Sequence, residues 1–67
     1  IMNKDDLYKW CVENGIRVAV SDTHYNFRKD DKEVALHQSW IHNSMREYGL
    51  NLIQMILRSK FIINNGT

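Results

Sequence analysis

Apolar residues recur at helical spacing near the start of the chain. Leu7, Tyr8, Cys11 and Val12 fall on one stripe, which predicts a helix over residues 3–14. Asn3 can cap it, Asp6 stands three residues on, and Asp5 and Asp6 suit the positive end of its dipole. Asp5 and Lys9 can pair one turn apart, and Gly15 ends the helix. The pattern then changes period. Ile16-Arg17-Val18-Ala19-Val20 alternates and is rich in β-branched residues, so a short strand follows. Residues 21–31 are polar, with turn formers at both ends, and read as a loop with room for a short strand around Tyr25–Phe27.

Asp30 or Asp31 can open a second helix running to about Tyr48. Val34, Ile41, Met45 and Tyr48 would share its inner face, widened by Leu36 and Trp40. A third helix is predicted from Asn51 to about Lys60, nearly all apolar from Leu52 to Leu57 apart from Gln54. Between the two lies Glu47-Tyr48-Gly49-Leu50-Asn51. Here Gly49 can end one helix in a positive-φ conformation, Leu50 can enter the core, and Asn51 can cap the next helix. A one-glycine turn of this kind marks a helix-turn-helix. Phe61-Ile62-Ile63 reads as a strand, and Asn64-Asn65-Gly66 as a hairpin tip. The expected order is helix, strand, helix, helix, strand, hairpin tip. That predicts a small domain, mainly α with minor β, winged-helix or helix-turn-helix-like.

The 67 residues suffice for one small domain, which at this size buries only about 60% of its unfolded surface. The chain reads as a piece of a longer protein, starting at Ile1. A single cysteine, Cys11, excludes an intrachain disulfide and argues for a reducing, intracellular setting: cytoplasm, or nucleus if the source is eukaryotic or viral. No apolar run approaches a membrane span, so no membrane partner is expected. Net charge is only +1, but it is unevenly placed. Residues 1–48 carry seven basic and eight acidic residues, whereas residues 49–67 carry Arg58 and Lys60 and no acid. A basic face, if formed, is small, and phosphate-driven affinity should be modest.

Leu7-Tyr8-Lys9-Trp10-Cys11-Val12-Glu13-Asn14-Gly15-Ile16 resembles the first helix of the C-terminal winged-helix domain of phage, plasmid and poxvirus-type primase–helicases. Trp10, Cys11, Glu13, Asn14 and Gly15 match its Trp-Cys-x-Glu-Asn-Gly pattern. Met45-Arg46-Glu47-Tyr48-Gly49 is similar to the end of the second helix in that family. The resemblance covers about ten residues well and five loosely. It implies a DNA-binding appendage of a replicative ATPase, engaging origin or template DNA while the motor sits elsewhere in the parent chain.

In this reading the third helix enters the major groove. Asn51, Gln54, Arg58, Ser59 and Lys60 are its polar positions; Asn and Gln suit adenine edges, and Arg suits guanine or phosphate. Asn64 and Asn65 on the hairpin tip can add backbone contacts. Arg28 and Lys29, with Lys32, form a second basic cluster beside Tyr25 and Phe27, partly cancelled by Asp30, Asp31 and Glu33. Duplex DNA is the expected partner ahead of single strands. The competing reading is a core or interface helix, in which the apolar third helix and Met55 pack on a protein partner or a second copy.

Catalytic chemistry finds little support. Val20-Ser21-Asp22-Thr23-His24 resembles a strand-end metal motif of metallophosphatases, but the further ligand clusters which that fold requires do not occur. His37 and His42 are five apart, a poor spacing for one helix face. Cys11 on the apolar stripe reads as a small buried hydrophobe. No catalytic residue, metal or cofactor is expected.

Overall fold

The computed structural model of the chain describes residues 4–61. Six elements run in the order α1 (Lys4–Glu13), β1 (Arg17–Val20), β2 (His24–Lys29), β3 (Lys32–His37), α2 (Gln38–Tyr48) and α3 (Asn51–Lys60). Helices of 10, 11 and 10 residues outweigh strands of 4, 6 and 6, so the domain is mainly α with minor β. It is consistent with the small winged-helix-like class expected from the sequence.

The strands form one antiparallel meander in the order β1-β2-β3. Side chains alternate across it. Tyr25 and Phe27 are buried, and Val18, Val34 and Leu36 pack beside them. The other face carries Arg17, Ala19, Asn26, Arg28, Glu33 and Ala35, exposed or half-buried. All three helices contribute to the core over the apolar face: Leu7 and Cys11 from α1, Ile41 from α2, Ile53 and Leu57 from α3, with Ile16, Leu50 and Phe61 at the junctions.

One expected element is corrected. Residues 32–37 do not open the second helix; they form β3, and α2 begins only at Gln38. Asp30 and Asp31 are the two residues between β2 and β3, not helix caps. Asp30 adopts φ 56, a conformation that Asp tolerates better than most residues. The segment read as a loop is therefore mostly β2, so the strand suspected at Tyr25–Phe27 is real and extends to six residues. All three strands lie between α1 and α2, ahead of the helix pair. The predicted strand at residues 62–63 and the hairpin tip lie outside the described residues. So does Asn3, the proposed first cap.

Two local devices fix the helix ends. His37 closes β3 and caps α2: its Nδ1 accepts the Ser39 N–H at 3.1 Å. At the α1 end, Gly15 takes φ 72, the Asn14 amide donates to the Trp10 carbonyl at 2.9 Å, and Lys29 Nζ donates to the Asn14 carbonyl at 2.9 Å. These bonds occupy carbonyls that a helix C-terminus leaves open.

Candidate nucleic-acid interface

The turn that carries α3 is two residues long. Gly49 has φ 66 and ψ −146, and its N–H donates to the Met45 carbonyl at 3.0 Å. This is extended backbone of the mirror-image sense, a region essentially restricted to glycine. Leu50 then enters the core, 4% exposed, as expected. It also takes the N-cap position of α3 without a side-chain cap, so Asn51 is the first helical residue and not the cap predicted for it.

Leu50, Ile53, Leu57 and Phe61 are buried and follow a three-to-four spacing, so this stripe docks α3. The opposite face is presented outward. Asn51, Met55, Arg58, Ser59 and Lys60 are exposed, and Gln54, Leu52 and Ile56 are half-buried at the flanks. The near-continuous apolar run therefore hides an amphipathic helix, neither fully buried nor fully polar. Its first turn carries no acid and its last turn carries Arg58 and Lys60.

Arg58 is held by a side chain from another element. Its guanidinium carbon lies 5.5 Å from the centroid of the half-buried Trp10 ring of α1. An Arg on an aromatic face is restrained while its N–H groups stay directed outward in their plane. Ser59 Oγ donates back to the Ile56 carbonyl at 2.9 Å, leaving its lone pairs available.

The other candidates are placed differently. Arg28 lies on the outer sheet face and pairs with Glu33 across the β2–β3 ladder at 3.0 Å, both about half exposed. Lys29 is half-buried and committed to the end of α1. Neither belongs to the α3 face. Asn64 and Asn65 lie outside the described residues. The sequence reading missed Trp10 as the platform for Arg58; no local pattern links two residues 48 positions apart. Tyr48, expected on the inner face of α2, is instead 59% exposed beside Met55 at 62%, and with Leu52 and Asn51 they line an open hollow.

Several other titratable groups are structurally occupied. Burial pushes the Cys11 thiol up to about 12, which keeps it protonated and a poor nucleophile. The Tyr25 hydroxyl meets His42 Nε2 at 3.1 Å, and burial, then neighbouring Tyr8, raise the Tyr25 phenol above its usual range. His24 and His37 face each other across β2–β3, ring centroids 5.0 Å apart. His37 Nδ1 accepts a backbone N–H, so the neutral ring carries its proton on Nε2 and offers a metal no free lone pair. Among the described residues no group of three or more His, Cys, Asp or Glu is placed to hold a metal ion, and no helix is long and apolar enough to cross a membrane.

No protein-family model matches the chain, and no curated protein or solved structure is detectably similar to it.

Proposed function

We propose that the chain is a non-catalytic, intracellular DNA-binding module whose α3 face enters the major groove of duplex DNA. The observation that carries this reading is the outward face of α3, where Asn51, Arg58 and Ser59 are exposed and no acid interrupts them, with Lys60 exposed on the other flank at the end of the helix. Helix N-terminal residues of a helix-turn-helix reach base edges. Asn51 and Gln54 sit there, with the amide chemistry that suits adenine. Arg58, steadied on Trp10, and Lys60 would hold phosphate or a guanine edge from the far end of the helix. Arg28 and Lys29 drop out of the primary contact set, since each already has a partner. The resemblance of residues 7–16 to the opening helix of primase–helicase winged-helix domains supports placing the module in a replication initiator or primase–helicase.

Fluorescence anisotropy with a labelled duplex tests this. Arg58→Ala and Lys60→Ala should each weaken binding, about uniformly across sequences if they hold phosphate. Binding that neither substitution weakens would refute the α3 assignment.

A second reading has its own observation. Tyr48 and Met55 are large, exposed and adjacent, which favours a protein partner on the same helix. Met55→Asp separates the two, because Met55 is 62% exposed and its replacement leaves the core intact. Loss of a protein complex with DNA affinity kept would favour the interaction module.

A further inference from the structure

Among the described residues no strand pairs with the outer edge of β1. Ser21 N–H donates to the His24 carbonyl at 2.8 Å across the β1–β2 turn, so positions 21 and 24 form a hydrogen-bonded pair. Such pairs alternate along an antiparallel ladder. Ala19–Asn26 and Arg17–Arg28 are therefore hydrogen-bonded pairs too, in the register Arg17↔Arg28 to Val20↔Tyr25. The backbone groups of Val18 and Val20 then point away from β2, toward the open edge of the sheet. Beneath that edge the molecule is apolar. Val12 of α1 is 76% exposed, Val20 is 51% exposed, and Tyr8, Val12, Ile16 and Val18 line an open groove with Arg17. An edge with unpaired groups and exposed β-branched residues is a template for a further strand.

We propose that this edge is the contact between two copies of the chain, which join β1 to β1 in antiparallel register about Ala19. The alternation of hydrogen-bonded pairs along β1 selects the register. Val18 and Val20 carry the free backbone groups, so Val18 pairs with the partner copy's Val20 and the reverse, giving four N–H···O=C bonds. Ala19 faces its own copy on the axis as a non-hydrogen-bonded pair, where strands come closest and a small residue fits. Arg17 faces Ser21 of the other copy, so no charge meets its like. Val18 and Val20 of both copies meet on the inner face, with Val12 and Tyr8 below them. The result is a continuous six-stranded sheet. This inference goes beyond the DNA-binding reading and rests on the sheet alone.

The test is sedimentation equilibrium of the purified chain, with three variants. The mass should rise with concentration from 8.0 kDa toward twice that value. Val20→Pro removes an N–H that serves no bond within the described fold, so it should hold the mass at 8.0 kDa with an unchanged circular dichroism spectrum. Ala19→Cys should form an intermolecular disulfide on mild oxidation, because the axial pair falls in disulfide range, while Ala35→Cys on the same sheet face should not. A mass fixed at 8.0 kDa up to millimolar concentration would overturn the proposal. So would a dimer that survives Val20→Pro, or Ala35→Cys cross-linking as fast as Ala19→Cys. Each readout is made without DNA, so failure here leaves the α3 reading standing, and the reverse.

Discussion

Gly49 determines whether α3 can leave α2 at the observed angle. Its φ of 66 with ψ −146 suits no L side chain well, so replacement carries a conformational cost. Gly49→Ala should lose about 1–3 kcal/mol. For a domain of this size that lowers Tm by about 4–8 °C per kcal/mol, measurable by thermal denaturation. Cys11 makes a second residue-level prediction. Buried, with its thiol pushed up to about 12 from 9.0, it should resist a thiol-specific reagent at pH 8 until the chain unfolds. The sign follows from linkage. A raised folded-state value favours the protonated thiol, so this contribution is complete below pH 9.0 and lost as pH climbs toward about 12.

At the scale of elements, α3 was legible in its bounds and ambiguous in its orientation. Sequence placed it at residues 51–60, as observed. It could not tell a core helix from a recognition helix, because Leu52, Met55 and Ile56 look as apolar as Ile53 and Leu57 until a partner surface fixes the docking stripe. That orientation is testable. Leu57→Ala should cost about 2–5 kcal/mol in denaturant unfolding, while Met55→Ala should stay within about 0.5 kcal/mol. Equal costs would mean that α3 is docked on a different face. The boundary of α2 was misjudged for a physical reason. Val34 and Ile41 are seven apart, which mimics two helical turns, while Val34 and Leu36 equally satisfy the period of a strand. Two-residue turns at Asp22–Thr23 and Asp30–Asp31 settle the competition, since they let strands of four, six and six residues pair in a meander. The residue that starts α2, His37, also evaded pattern reading, because histidine is not among the preferred cap residues.

For the whole molecule, the proposed DNA contact requires a nearly neutral domain to meet a polyanion. Two of its cations are occupied locally: Arg28 on Glu33, Lys29 on the end of α1. Docking α3 through Leu50, Ile53, Leu57 and Phe61 leaves Arg58 exposed near Asn51 and Lys60 exposed on the other flank. The candidate residues on α3 were identifiable from sequence, but their exposure and the Trp10 support for Arg58 emerge only from tertiary packing. Two phosphate contacts are a small number, and they set a quantitative expectation. With Arg58 and Lys60 each neutralising one phosphate, log K should fall against log salt with a slope of about −2.

The most direct measurement is a titration of the purified chain against labelled duplex and single-stranded DNA at low and moderate salt. An α3 face that enters the major groove should give duplex binding that weakens with that shallow slope and weakens further in Arg58→Ala. No binding to duplex even at low salt would contradict it.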